Sequence, residues 1–186
     1  RNKSFDIIGN YEENFTIFES KPKECYDLSK LDTSKITNMS SLFEYSLFNG
    51  DISNWDTSNV TSTGGMFYKA NNFNSNIGNW NVSNVVNMYS MFNQANSFNQ
   101  VLNWNTSNVT SMSSMFYEAL NFNSSLNFTN VNKLEDVSFM FCGAKKKKKK
   151  INWNLSKFKV LMCMFKDASS FDFSNLKCNI DKSLIN

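Results

Sequence analysis

The sequence predicts an α/β solenoid: a right-handed array of short parallel strands and short helices, with a cap at each end. Three observations predict it. Met-Phe (Leu-Phe in the first copy) recurs at Leu42, Met66, Met91, Met115, Met140 and Met164, at steps of 24, 25, 24, 25 and 24 residues. A period of that size marks one supersecondary unit stacked on its copies. Within a copy, a Trp-centred stretch alternates apolar and polar residues, the period of an extended segment. After it, apolar residues return at steps of 3, 3, 1 and 3, as on one face of a helix. A right-handed strand–helix crossover lets such copies pair their strands in parallel.

Residues 1–30 lack the period. They carry Phe5, Ile7, Ile8, Phe15, Phe18 and the sole proline, Pro22, and are expected to cover the open end of the first copy, since a stacked array needs terminal caps. About six copies then occupy 31–175. Their extended segments are Asn54-Trp55-Asp56-Thr57, Asn79-Trp80-Asn81-Val82, Asn103-Trp104-Asn105-Thr106 and Asn152-Trp153-Asn154-Leu155. Trp and the residue two later face the core, while Asn and Asp face outward.

The expected helix follows each segment. Val85, Met88, Met91, Phe92 and Ala95 form the clearest face, repeated at Val109, Met112, Met115, Phe116 and Ala119. Val60, Met66, Phe67 and Ala70 give a weaker version, because Gly64 and Gly65 interrupt it. Ser58/Asn59, Ser83/Asn84 and Ser107/Asn108 are placed to cap helical N–H groups. Phe73, Phe98, Phe122 and Phe171, each seven residues past its Met, plug the return from helix to strand. With 31 Asn in the chain, three repeat positions are Asn columns: Asn54/79/103/127/152, Asn59/84/108 and Asn49/74/99/123. Stacked amides can bond to their copies and to turn backbone. Residues 176–186 are the second, shorter cap.

Across Phe98-Asn-Gln-Val-Leu-Asn-Trp104-Asn-Thr-Ser-Asn-Val-Thr-Ser-Met-Ser-Ser-Met115-Phe-Tyr-Glu-Ala119 the chain resembles the BspA-type, mycoplasma-lipoprotein-type surface repeat, a domain of unknown function. Its pattern, roughly W-D-x-S-N-V-x-x-M-x-x-M-F, is matched well by three copies and loosely by three more, over about Leu31 to Asn175. The resemblance implies a leucine-rich-repeat-like fold and a surface role in adhesion or recognition. It brings no catalytic residues. Leu31 in place of Trp, and the loose copy at Phe128 to Phe141, depart from the pattern.

Composition narrows the function. Hydrophobic residues make up 41% and charged residues 19%, the balance of a folded chain. Net charge is +3, but Lys145 to Lys150 alone supply six, so the rest sums to 3 − 6 = −3 and offers no basic nucleic-acid face. The four cysteines, Cys25, Cys142, Cys163 and Cys178, form no C-x-x-C pair, and there is no His. No metal site and no cofactor are expected. Cys142 and Cys163 fall in adjacent copies, so a bridge between them stays open. Phosphate-loop, dinucleotide and nucleophile-elbow motifs are absent. Without His the commonest general base is missing, and Asp51 and Asp56 have no matching pair in the following copies; enzyme activity is not expected. Lys147 falls where other copies have Phe122 and Phe171, a cation in a core position whose stem could snorkel or whose segment could loop out.

The expected role is therefore a non-enzymatic interaction module at a cell surface or outside the cell, lipid-anchored through a segment beyond this chain. The chain opens on Arg1 and not Met, as a processed or truncated product does. No stretch is apolar enough to span a membrane. Its binding face is Asn54, Asp56, Ser58, Asn79, Asn81, Ser83, Asn103, Asn105, Ser107, Asn152, Asn154 and Ser156. Such a neutral, amide-rich surface suits a protein or glycan held by many weak contacts. The alternative is a structural spacer or coat component of a larger assembly or virion.

Overall fold

The structure, a computed structural model, describes residues 27–175 and 181–185. The expected N-terminal cap, apart from 27–30, lies outside the described residues. So do Cys25, Cys178 and the second cap apart from 181–185.

Where helices were expected, the backbone runs through successive tight turns. In the copy around Met91 the carbonyl of Met88 accepts from Met91 N–H at 3.3 Å, Phe92 from Ala95 at 3.0 Å, and Ala95 from Phe98 at 3.1 Å. The third residue of each of the first two turns is left-handed, Ser90 at φ 51° and Gln94 at φ 57°, the φ signature of a type II turn. The same two sites are left-handed in every copy: Ser41/Tyr45, Gly65/Lys69, Ser114/Glu118, Phe139/Gly143 and Cys163/Asp167. A non-glycine residue there costs about 1–2 kcal/mol.

The destination of the alternate N–H groups explains why the turns win. Those of Met88, Ser90, Phe92 and Gln94 donate to the carbonyls of Ser111, Ser113, Met115 and Tyr117 in the next copy, at 2.7–3.0 Å. A helix would spend the same donors on residues four back. Three-residue apolar steps fit either conformation. Among the described residues the regular helices are four 3-10 turns: Leu28–Lys30, Leu155–Lys157, Phe173–Asn175 and Lys182–Leu184.

Parallel pairing is present, but not at Trp. Asn38, Ser62, Asn87, Ser111, Asp136 and Val160 bridge in one parallel series just ahead of the turn runs. Near the Trp segments only Leu102 and Leu126 bridge. Those segments keep the expected two sides without a continuous ladder: Trp55, Thr57, Trp80, Val82, Trp104, Thr106, Trp153 and Leu155 are buried, while Asn54, Asp56, Asn79 and Asn81 are exposed.

The core is columnar. Phe43, Phe67, Phe92, Phe116, Phe141 and Phe165 stack with ring centres 5.4–5.6 Å apart and planes within 9°. Against them lies an inner column, with Phe67–Phe73, Phe92–Phe98, Phe116–Phe122 and Phe165–Phe171 at 3.8–4.0 Å. The indole N–H groups of Trp55, Trp80 and Trp104 donate to the carbonyls of Leu28, Ile52 and Ile77 in the preceding copy, so burial leaves none of these three donors stranded. Phe128, which has no such donor, stacks 6.0 Å from Trp104 and 5.8 Å from Trp153.

Lys147 neither snorkels nor loops out. It occupies the inner column at 0% exposure. Its Nζ donates to the Ser124 carbonyl at 3.2 Å and lies 5.2 and 5.5 Å from the Phe122 and Phe141 ring centres. Burial, and to a lesser degree Lys149, pulls its ammonium down to about 8. At the far end, Cys163 and Phe165 N–H groups donate to the carbonyls of Leu184 and Ile185, so residues 181–185 take the place of a further copy.

Candidate functional site

The twelve residues expected to form the binding face all reach the surface. Nine are exposed and three, Ser58, Ser83 and Ser107, are half-buried. Their chemistry divides them. In the column Asp56, Asn81, Asn105 and Asn154, each Oδ1 accepts from the backbone N–H of the serine two residues on, at 2.9–3.2 Å. Ser83 and Ser156 hydroxyls donate to the same oxygens at 2.7 Å. These are Asx turns, which close a tight corner of the backbone.

The same triplet, Asp or Asn then any residue then Ser, closes turns at Asp27, Asp32, Asn38, Asp51, Asp136, Asp172 and Asp181. That spacing is the sequence signal for the corner role, which composition alone did not disclose. The acids feel it. The hydroxyl and then the N–H of Ser58 hold the Asp56 carboxyl below its usual range, and the N–H and then the hydroxyl of Ser53 do so for Asp51.

The column Asn54, Asn79, Asn103 and Asn152 is more open. Asn54 Nδ2 donates to the Ser29 carbonyl, and Asn103 Oδ1 accepts from Asn127 Nδ2 at 2.7 Å. Asn79 and Asn152 are exposed, and among the described residues neither side chain is engaged. On this face, Asn79 and Asn152 keep both amide donor and acceptor free, whereas Asn81, Asn103, Asn105 and Asn154 engage Oδ1 and keep only Nδ2.

The other Asn columns run along the stack. Asn59, Asn84 and Asn108 donate through Nδ2 to the carbonyls of Ser34, Ser58 and Ser83 at 2.7–2.8 Å; they bond the preceding copy and do not cap helices. Asn49, Asn74, Asn99 and Asn123 each accept a backbone N–H from the next copy at 2.7–2.9 Å, the last from Lys148. Stacking across copies, more than partner contact, accounts for much of the Asn content.

Five of the six lysines of the run, Lys145, Lys146, Lys148, Lys149 and Lys150, are exposed. Lys149 and Lys150 border an open depression of about 450 Å³ with Ser125, Asn127, Asn152 and Trp153. A second, of about 520 Å³, lies among Tyr117, Glu118, Cys142, Gly143, Lys145 and Asp167. Glu118, burial and Asp167 push the Tyr117 hydroxyl up, and burial does the same to the Cys142 thiol. Cys142 is an unbridged thiol, so the Cys142–Cys163 link is not made. Among the described residues no three His, Cys, Asp or Glu are placed to hold a metal ion.

Two stretches, residues 12–103 and 100–183, match the family described as Mycoplasma protein of unknown function, DUF285. The chain belongs to this family. The two tandem matches to DUF285 make it a repeat protein, and between them they span all of the copies at 31–175. No curated protein and no solved structure gives a match. Among the described residues of this DUF285 chain no helix is long and apolar enough to cross a membrane.

Proposed function

We propose that this DUF285 chain is a leucine-rich-repeat-like solenoid that acts as a non-enzymatic interaction module. It works at a cell surface or outside the cell and holds a protein or glycan across its amide-rich face. Its likeness to BspA-type surface repeats belongs to the same proposal. One observation carries it: the other amides of the face are engaged through at least one atom, yet Asn79 and Asn152 keep both donor and acceptor toward solvent in one column. An amide offers donor and acceptor together and matches a peptide group or a sugar hydroxyl. Many such weak contacts along an extended repeat surface suit a large partner.

The test is binding of the immobilised chain to arrayed oligosaccharides and to proteins of cell-surface extracts. Asn79→Ala with Asn152→Ala is expected to weaken any specific signal several-fold while leaving the thermal midpoint in place. Binding that survives the pair unchanged overturns the assignment of this face.

A further inference from the structure

Phe48, stacked 4.7 Å from Phe43, begins the inner column, and three residues past that column the first five copies carry Asp51, Asn76, Val101, Ser125 and Lys150, with Ser174 of the sixth copy lying beyond the paired stretch. All but Ser125, which is half-buried, are exposed. Their order is acidic, polar, apolar, polar, basic. Reversed, the series is its own complement. Val101 sits at the midpoint, 42% exposed, an apolar side chain between Asn76 and Ser125. The ends extend the pattern: Asp56 accompanies Asp51, while Lys148 and Lys149 accompany Lys150, all exposed. Lys30 lies 3.8 Å from Asp27, and exposed Asp32 lies near Asp56, so Asp51, Asp56 and Asp32 make up the negative end. At roughly 4.8 Å per paired copy, Asp51 and Lys150 stand about 19 Å apart.

We propose that this edge of the candidate face pairs with a second copy of the chain, antiparallel, about a two-fold axis at Val101. In a two-fold contact residue i meets j and j meets i. Asp51 of each chain then faces Lys150 of the other, Asn76 faces Ser125, and the two Val101 side chains meet on the axis. A parallel arrangement instead sets Asp51 against Asp51 and Lys150 against Lys150. Charge complementarity selects the antiparallel register, and the central valine gives it an apolar middle. The inference rests on treating this side of the coil as a contact surface, and it names the partner.

Sedimentation of the purified chain over a range of concentrations, at low and high salt, tests it. The wild type is expected to pair weakly at low salt and to separate as salt screens the ends. Asp51→Lys alone, or Lys150→Asp alone, turns two attractive contacts repulsive and is expected to weaken pairing about tenfold or more. The double reversal restores both contacts and is expected to return pairing toward the wild-type level. Loss of the Asp51–Ser53 turn cannot be repaired by a change four copies away, so rescue reports contact and not folding. Val101→Lys, with two like charges on the axis, is expected to abolish pairing. A wild type that stays monomeric at every concentration and low salt overturns the proposal, as does a double reversal without rescue. A monomer that still binds a glycan or protein through Asn79 and Asn152 overturns the pairing alone, so the two failures are distinguishable.

Discussion

Replacing Lys147 by Phe restores the residue type of the inner column and removes a buried cation. The ammonium falls from 10.5 to about 8, which at 1.36 kcal/mol per pH unit is about 3 kcal/mol of stability forfeited at pH 7. Ring burial adds about 1.5–3 kcal/mol. Loss of the donor to the Ser124 carbonyl subtracts about 1–2 kcal/mol, and the cation–ring contacts to Phe122 and Phe141 take away about 1 kcal/mol more. Lys147→Phe is thus expected to stabilise the chain by about 3 kcal/mol at pH 7, read from urea unfolding. The sign with pH is also defined. Between about 8 and 10.5 the unfolded chain keeps the Lys147 proton and the folded chain does not, so wild-type stability rises with pH. The gap to Lys147→Phe is expected to narrow by about 2 kcal/mol between pH 7 and pH 9.5. Cys142 and Tyr117, both raised, lose stability over that range in both proteins and cancel in the difference. A variant no more stable than wild type, with a gap independent of pH, would refute the reasoning.

Gly78→Ala is expected to cost about 2 kcal/mol or more in thermal or urea unfolding, because a Cβ there overlaps the Val101 carbonyl oxygen, which is backbone and cannot step aside. Asn84→Ala removes the amide bond to Ser58 and is expected to cost about 1 kcal/mol. Asn79→Ala is expected to stay within about 0.5 kcal/mol. Equal effects from this pair would undo the distinction between stacking and open amides. Asp27, Asp32, Asp51, Asp56 and Asp181 are all held below 3.8, each with its Asx-turn serine as the main cause. Their stabilisation is complete above that value and fades as pH falls through the lower folded values. Circular dichroism is therefore expected to show acid loosening below pH 4, blunted when Asp51 and Asp56 are changed to Asn, which keeps the accepting oxygen.

Most of the core was legible in the sequence. Trp55, Trp80, Trp104 and Trp153, with Phe92, Phe98 and their aromatic copies, are buried where the period placed them, because volume and apolarity repeat with the chain. The conformation between them was not legible. Val85 to Ala95 satisfies a helical face and a run of turns equally, and the choice belongs to the next copy, whose carbonyls take the alternate N–H groups. Ser90 and Gln94 carry no glycine to announce their left-handed backbone. Register located Lys147, but not its state, since only the packed site supplies the Ser124 carbonyl and the two rings. On the candidate face, exposure of the Asn and Ser residues followed from alternation. Which amides remain available did not, because Asn76, Asn87 and Asn130 accept the same turn bond from Gly78, Tyr89 and Asn132 without a serine, so the spacing that marks Asn81 does not by itself set Asn79 apart.

The alternate N–H groups of each turn run end on the neighbouring copy, so each copy holds the next through a row of bonds aligned along the stack. Tension applied along that direction loads one row at a time instead of shearing many together. Each row that parts frees one period of 24 or 25 residues, roughly 80 Å of extended chain. Drawn from its ends, this protein is expected to pay out in equal steps at modest force, as a ratchet does, and to recoil one copy at a time when released.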